Sequence, residues 1–285
     1  MVRRMPEHGG SNSPMSDEDV RAGLEGLGDW YHTIELRPGI RSRGEFDLRS
    51  IPAQLPWIDL RGKRCLDVGS YDGFWAFEME QRGAAEVVAV DVDDPLLYDW
   101  PEVLRPRVPD LISHYRPSPM AGRFQLARAA LGSRVDRRSC SIYDLDPEVL
   151  GRFDFVMCSS LLVHLRDPLR ALAALRGVCA GHLLTNEPID LQLSLRHPRH
   201  PVARFEGLNE WMHWWIPNLA AQERMLASAG FEVVDRSKPL VMPFGTKHVR
   251  SRTRSQLRDL AYRLYARSGD QGVLQRAILA KPATR

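Results

Sequence analysis

Residues 63–77 read KRCLDVGSYDGFWAF, and they combine an acid with a tight turn. An apolar run that carries Asp67 leads into a turn bounded by Gly69 and Gly73. A glycine turn lets the backbone approach a ligand that side chains would exclude. No third glycine follows before Gly83, so the G-x-G-x-x-G pattern that seats a dinucleotide pyrophosphate is missing. An acid before the turn suits a ligand with a cationic amino group and no phosphates.

Polar side chains also stand at the ends of the following apolar runs. The run EVVAVDV ends at Asp91 and Val92, 22 residues after the first glycine, where a carboxylate can accept both hydroxyls of a ribose. The run SIYDL contains Tyr143 and Asp144, which we assign to an adenine ring and its amino group. A further run, FDFVMCS, ends at Ser159 and would face the reacting group.

An ammonium, a ribose and an adenine without phosphates describe S-adenosylmethionine, whose reactive methyl group is carried on a sulfonium. In an open parallel sheet, ligands bind at the carboxyl ends of the strands. Each acid alone is explained equally well as the N-cap of a following helix, but their combination in this order favours the cofactor. The predicted cofactor-binding residues are Asp67, Gly69, Ser70, Gly73, Asp91, Val92, Tyr143, Asp144 and Ser159.

The order of elements predicts the fold class. From residue 63 onward, apolar runs of strand length alternate with helical patterns, which is typical of βαβ units and a mostly parallel sheet. We divide the chain into a disordered lead-in (1–19), an N-terminal cap of helix and loop (20–60) and a main domain (61–285) with an insertion at about 93–121 that closes over the cleft and a basic helical segment at about 246–268.

Composition excludes several classes of protein. The chain of 285 residues is 44% hydrophobic and 26% charged, which is ordinary for a globular protein. No apolar run approaches the roughly 18 residues that cross a bilayer, and the N-terminus lacks the apolar region of a secretory signal. The four cysteines are widely spaced in apolar stretches, so we expect buried thiols in the cytoplasm and no metal site.

Charge is distributed unevenly along the chain. The net charge is +3, but residues 246–285 carry +8 and the remainder carries −5. A basic segment can bind an anionic partner such as RNA. The alternative is a solvated helix with arginine-rich outer faces, because the segment also has an apolar stripe at helical spacing, formed by Leu257, Leu260, Ala261, Leu264 and Tyr265.

From about Trp30 onward, the sequence resembles the class I S-adenosylmethionine-dependent methyltransferases. More narrowly it is similar to the branch that contains the tRNA wobble-uridine carboxymethoxy methyltransferase. The stretches that carry the resemblance are WYHTIELRPGIRSRGEFDLR, the glycine turn, FDFVMCSSLLVHLRDPLRAL, WWIPNLAAQERMLASAGFEVVD and QRAILAKP. The resemblance implies a Rossmann-type α/β fold with a seven-stranded mixed sheet whose last strand is antiparallel, and S-adenosylmethionine as the cofactor.

The resemblance also locates residues that would select the cofactor and the substrate. The wobble-uridine enzyme uses a carboxylated cofactor and holds its extra carboxylate with a lysine, a tyrosine and an arginine. Here the matching positions are Arg43, Val163 and Arg276. Loss of a hydroxyl that pairs with a buried carboxylate costs about 1–3 kcal/mol, so we expect plain methyl transfer. We assign Arg43, Trp30 and Arg276 to the substrate side; surface ion pairs and core packing are their alternatives.

Methyl transfer from a sulfonium depends mainly on positioning and desolvation. A general base helps only where the acceptor must lose a proton. The candidates are His164 in LVHLRDP, Glu187 in LTNEP, and His213 among the tryptophans of NEWMHWWIPN. The alternatives are a loop-fixing hydrogen bond for His164, no substrate contact for Glu187, and a packed hinge for the aromatic cluster around His213.

Two classes of acceptor fit these observations. A small molecule with an O or N acceptor is favoured by the missing tyrosine and the acidic body, whereas an RNA base is favoured by the branch resemblance and the basic C-terminus. A binding protein without catalysis and a nicotinamide dehydrogenase are the alternatives from other classes. Asp67 and the absence of the third glycine argue against the dehydrogenase.

Overall fold

The computed structural model describes residues 15–113, 120–208, 212–248 and 256–284, together with the backbone of Arg3 and Arg4. A mixed sheet runs through its centre. The seven principal strands, β1 to β7 in chain order, are Arg64–Val68, Glu86–Asp91, Asp136–Ser139, Phe153–Ser159, Cys179–Pro188, Phe231–Arg236 and Gly272–Pro282. They lie in the order β3-β2-β1-β4-β5-β7-β6, and β7 is antiparallel to both neighbours. The predicted Rossmann-type sheet with an antiparallel last strand is confirmed.

Two short strands that were not predicted extend this sheet. Leu240–Pro243 pairs with the start of β7, and Arg3–Arg4 pairs with β3 at the opposite edge. The third strand is shorter than predicted, because it ends at Ser139 and the chain then forms a 3-10 turn at Ile142–Asp144. The side chain of Ser141 caps that turn by accepting the Tyr143 N–H, which explains why the strand does not continue.

Helices cover both faces of the sheet. The described helices, α1 to α9, are Asp17–Leu27, Phe74–Gln81, Val108–Ser113, Met120–Leu131, Pro147–Leu150, Pro168–Val178, Leu191–Arg196, Leu219–Ser228 and Gln256–Ala266. One core contains residues from α2, α4 and the N-terminal segment, and the other contains residues from α6 and α8. Side chains alternate along each strand between the two cores. We call the first the cap face and the second the α6–α8 face.

The N-terminal cap begins earlier than its predicted boundary. Helix α1 starts at Asp17, inside the segment assigned to the lead-in, because Ser16 and Asp19 form a capping box. After α1, the strand Trp30–His32 pairs in parallel with Gly44–Phe46, and Glu35–Arg37 forms an antiparallel pair with Ile40–Arg41. Most of residues 1–14 lie outside the described residues.

One buried carboxylate joins the cap to the glycine turn. Asp72 is 0% exposed, and its Oδ2 accepts the backbone N–H groups of Tyr31 at 3.1 Å and His32 at 2.8 Å. Its Oδ1 lies 2.5 Å from Nδ1 of His32. Three hydrogen bonds to a single side chain therefore fix the cap strand against the turn that follows β1.

The insertion is tied to the loop after β4. Asp99 accepts the Tyr143 hydroxyl at 2.6 Å and the Arg166 N–H at 2.8 Å, and the indole N–H of Trp214 donates to its backbone carbonyl at 2.7 Å. Trp100 is buried with Val108. The insertion therefore has a fixed position against the end of the sheet, although residues 114–119 lie outside the described part. Helix α4 begins at Met120, within the last residues assigned to the insertion.

The apolar stripe of helix α9 faces solvent, whereas we expected it to pack against the domain. Leu257 and Leu264 are 79% and 69% exposed, whereas Tyr262 and Ala266 pack against the small core next to β7. The side of the helix that faces the domain also carries Arg263. Residues 249–255 of the basic segment lie outside the described residues. Within the described part of the chain, no helix is long and apolar enough to cross a bilayer.

Substitution of Asp72 tests its role in attaching the cap. Asp72→Ala leaves two backbone N–H groups and an imidazole without their acceptor, so we expect the free energy of unfolding to fall by about 3 kcal/mol. Urea denaturation followed by circular dichroism measures this. The free energy of unfolding should fall less in Asp72→Asn, which retains an acceptor oxygen. In the exposed Asp235→Ala it should stay within about 0.5 kcal/mol of the wild-type value. A loss for Asp72→Ala no larger than that for Asp235→Ala would contradict the assignment.

Candidate functional site

The turn between β1 and α2 has a left-handed backbone at three positions. Gly69 has φ 76°, Tyr71 has φ 47° and Gly73 has φ 95°. A Cβ at Gly69 would lie 2.9 Å from the side chain of Leu161, and one at Gly73 would lie 2.5 Å from that of Phe77. Both glycines are therefore required by backbone conformation and by packing. Leu161 covers the turn from the loop after β4.

Asp67 presents a buried carboxyl oxygen without a partner. The side chain is 1% exposed, and among the described residues its Oδ2 has no hydrogen bond. Burial, with the nearby carboxylates of Asp91 and Asp72 adding to it, raises the pKa of Asp67 to about 8. A cation with N–H groups would satisfy this oxygen and favour its ionised form. The predicted ammonium site therefore fits the structure. The neighbouring Ser70 hydroxyl is also buried without a partner in the described part.

Asp91 is positioned by the glycine turn. Its Oδ2 accepts the Tyr71 N–H at 2.7 Å, and its Oδ1 accepts the Val92 N–H at 2.7 Å. Each carboxylate oxygen has a second lone pair, so both can still accept a ribose hydroxyl. Burial raises the pKa of Asp91. Burial, followed by the charge of Asp91, likewise raises the pKa of Tyr98 in the insertion.

The predicted adenine residues lie on the 3-10 turn after β3. The Tyr143 hydroxyl donates to Asp99 and accepts the Asp167 N–H at 3.2 Å, and the guanidinium of Arg170 lies 4.8 Å from its ring centroid. Tyr143 is therefore fixed between the insertion and α6. Asp144 is exposed at the end of the same turn.

A neutral polar cluster lies at the carboxyl ends of β4 and β5 and at the adjoining amino end of the antiparallel β7. Strand register places Ser159, Asn186 and Gln275 on the cap face, the same face as Asp67. The Asn186 amide donates to Gln275 Oε1 at 2.6 Å, and Gln275 Nε2 donates to the Ser160 hydroxyl at 2.7 Å. Asn186 and Gln275 are fully buried, and Asn186 Oδ1 has no partner among the described residues.

The two candidate histidines lie together. The ring centroids of His164 and His213 are 5.1 Å apart, and Nδ1 of His164 is 3.4 Å from the carbonyl oxygen of Met212. A carbonyl only accepts, so this contact favours the tautomer with hydrogen on Nδ1 and the basic lone pair on Nε2. Trp211, part of the predicted aromatic cluster, lies outside the described residues.

Glu187 does not face the cleft as expected. Its Oε1 accepts the N–H groups of Leu161 at 3.0 Å and Leu162 at 3.1 Å, so it caps the turn after β4. Burial raises its pKa to about 7. Its Oε2 has no partner in the described part and borders a cavity of about 30 Å³, the volume of one water molecule. Glu187 positions the loop that carries His164.

The three substrate residues do not come together. Trp30 is 1% exposed and belongs to the core under the cap, so it cannot cover an acceptor. Arg276 projects from the α6–α8 face and binds the Leu219 carbonyl at 2.6 Å and Glu223 at 3.0 Å. Arg43 is exposed. The physical reason for the error at Arg276 is strand alternation, which turns Gln275 rather than Arg276 toward the cap face.

Sequence reasoning missed several residues that build the site. Asn186 and Gln275 were overlooked because a charged neighbour, Glu187 or Arg276, attracted the assignment. The period of two along each strand, counted from Asp67, was the signal that identifies them. Asp72 and Asp99 hold the cap and the insertion in place, and their long-range partners leave no pattern in the sequence.

The pH dependence of stability tests the burial of Asp67. An acid whose pKa is higher in the folded than in the unfolded state makes its full contribution to stability below its unfolded pKa. This contribution is lost as the pH rises through the pKa of the folded state. We therefore expect the free energy of unfolding to fall between about pH 5 and about pH 7, and Asp67→Asn to make this slope shallower by roughly 1 kcal/mol per pH unit. Urea titrations across pH measure both slopes. An unchanged slope in Asp67→Asn, or the same change in the exposed Asp235→Asn, would refute the assignment.

Comparison with known proteins agrees with this geometry. Residues 41–236 match a family model described as a methyltransferase domain. The tRNA U34 carboxymethyltransferase of Ectopseudomonas mendocina (strain ymp) is 26% identical over 239 residues, which cover 79% of this chain and 63% of the relative. That of Pseudomonas aeruginosa (strain LESB58) is 28% identical over 225 residues, with coverages of 74% and 58%. The chain therefore spans less than two thirds of the length of these curated relatives.

A solved structure shows the same fold. The N-terminal domain of EvdMO1, crystallised in the presence of SAH and D-fucose, superposes with a TM-score of 0.51 at 18% identity and covers 96% of this chain and 100% of that chain. At this identity the likeness concerns the fold alone. Because the family model covers more than half of the sequence, the chain belongs to the methyltransferase-domain family and is a class I S-adenosylmethionine-dependent methyltransferase.

Proposed function

We propose that the enzyme transfers a plain methyl group to an O or N atom of a small molecule. The observation that carries this proposal is the uncharged cluster of Ser159, Asn186 and Gln275 on the cap face, where a carboxylated cofactor would require a cation. The one predicted cation on β7, Arg276, is already bound to α8 on the opposite face. Val163, without a hydroxyl, is buried beside His164.

The residues of the glycine turn would hold the cofactor. S-adenosylmethionine supplies an electrophilic methyl group on a sulfonium. Asp67 would accept the ammonium, Asp91 the ribose hydroxyls, and Tyr143 would border the adenine. Leu161, packed against Gly69, shields the turn from water, and exclusion of water strengthens the charge pairing of both acids.

His164 is the proposed general base. Its Nδ1 contact with the Met212 carbonyl orients the imidazole, so that Nε2 takes the proton of a hydroxyl or amine acceptor as the new bond to carbon forms. His213 lies beside it, and Glu187 fixes the loop from below. In this proposal Glu187 is a positioning residue, and His213 contributes to the acceptor wall.

An RNA acceptor is the second candidate, because the C-terminal 40 residues carry +8 and the curated relatives act on tRNA by name. Incubation of the protein with labelled cofactor and either bulk tRNA or hydroxylated small molecules, D-fucose among them, separates the two. We expect turnover with a small molecule and a product heavier by one methyl substitution. Labelled tRNA, with affinity that falls steeply with salt, or a carboxymethylated product would overturn the proposal.

All four cysteines are buried thiols in the structure. Burial raises the pKa of Cys65 to about 12, which suppresses its reactivity. We propose that the enzyme acts in the reducing cytoplasm.

Substitution of Asp91 tests the cofactor site. Asp91→Ala removes charge-assisted bonds to the ribose, so binding of S-adenosylmethionine should weaken by more than about 1 kcal/mol. Isothermal titration calorimetry measures this, with the exposed Asp94→Ala as a control for nearby negative charge. Equal affinities for the wild type and Asp91→Ala would remove the ribose assignment.

Substitution of His164 tests the base. His164→Gln should lower kcat by about 100-fold or more, because it removes proton transfer, while cofactor affinity stays within about twofold. Steady-state kinetics with the identified acceptor and calorimetry measure the two quantities. A fall in cofactor affinity with little change in kcat would indicate that His164 only shapes the loop.

A further inference from the structure

A second cavity, whose lining includes no residue of the glycine turn, lies where α9 approaches the end of the strand Leu240–Pro243. Its volume is about 420 Å³, within the range of small-molecule sites. It is lined by Pro243, Phe244, Gly245, His248, Arg263, Gly269, Asp270 and Gln271. None of these residues was assigned to the cofactor or to the methyl acceptor.

Arg263 brings an unmatched cation to this cavity. It lies on the side of α9 that faces the domain, and its Nε is buried without a hydrogen-bond partner among the described residues. No ion pair joins Arg263 to Asp270 or to another acid in the described part of the chain. A guanidinium N–H that is buried away from water and has no acceptor destabilises the folded protein. An anion that accepts from the guanidinium would remove this cost.

Two stacked rings form part of the cavity wall. The His248 imidazole stacks on Phe244 with ring centroids 3.6 Å apart and an interplanar angle of 3°. Nδ1 of His248 lies 2.5 Å from the Glu45 carboxylate, and the Phe244 N–H donates to the Gln271 carbonyl at 2.9 Å. These bonds tie the wall to the cap and to the segment leading into β7, so hydrogen bonds hold the cavity wall in place.

The lining defines the chemistry of a ligand. The edge of a guanidinium binds a carboxylate or a phosphate through paired N–H groups. The Asp270 carboxylate can accept hydrogen bonds from hydroxyls, and the Gln271 amide can both accept and donate them. We propose that this cavity binds a small hydroxylated molecule bearing a carboxylate or phosphate, with Arg263 as the anion-binding residue. None of the lining residues takes part in the methyl-transfer chemistry proposed above.

Ligand-observed NMR and calorimetry with D-glucuronate, D-glucose 6-phosphate and neutral D-glucose test the site. We expect at least one of the two anionic sugars to bind, and to bind at least about tenfold more tightly than glucose. Glucuronate alone identifies a carboxylate site and the phosphate ester alone a phosphate site, and both outcomes support the proposal. Equal binding of glucose, or no binding of either anion, overturns it.

Variants on the same helix separate a site from general attraction to basic charge. Arg263→Gln should weaken the anionic sugar at least about tenfold, whereas the exposed Arg258→Gln, which removes the same charge, should change it less than about twofold. Asp270→Asn should strengthen binding, because it removes a carboxylate from the cavity. Equal losses for Arg263→Gln and Arg258→Gln, or weaker binding in Asp270→Asn, refute the site. Unchanged S-adenosylmethionine affinity in all three shows that the fold is intact.

Discussion

The site depends on the burial of one carboxylate, Asp72, between the glycine turn and the N-terminal cap. The turn leaves the sheet in a left-handed conformation that has few internal hydrogen bonds, and the cap strand is too short to be stable alone. Asp72 supplies both with a common acceptor. Because the cap also carries Tyr31, whose ring lies 5.1 Å from that of Tyr71, the same link brings an aromatic wall to the turn.

Two further acids, Asp67 and Asp91, make the site favourable for a cation. Burial raises the pKa of both Asp67 and Asp91, and the charge of Asp91 raises that of Asp67 further. Among the described residues no ion pair joins either acid to a lysine or arginine, although the charge of the nearby Arg137 partly offsets the effect of burial on Asp91. Two such acids under a cap are more stable when a positively charged ligand occupies the cleft than when the cleft is empty. This agrees with a cofactor that carries both an ammonium and a sulfonium.

The fold could be predicted from the sequence to a greater extent than the site. Alternating runs and the glycine turn locate β1, β2, β4 and β5, because these signals are local. The assignment of Glu187 and Arg276 was wrong because charge was weighed above strand periodicity: a shift of one residue moves a side chain to the other face. The predicted orientation of helix α9 was wrong for a different reason. Its apolar stripe predicts a helix but does not reveal which side of the helix packs against the domain.

The same alternation is the physical basis of the proposal that this enzyme uses an uncarboxylated cofactor. Arg276 stays on β7, but its guanidinium serves as an anchor for α8 through Leu219 and Glu223. Gln275, its neighbour in the strand, meets Asn186 on the opposite face. An amide pair satisfies its own donors and leaves no net charge for a carboxylate to pair with, so a carboxylated ligand would lose hydration there without a compensating ion pair. In the proposed function, discrimination against a carboxylated cofactor at this position would therefore follow from desolvation and would need no steric exclusion.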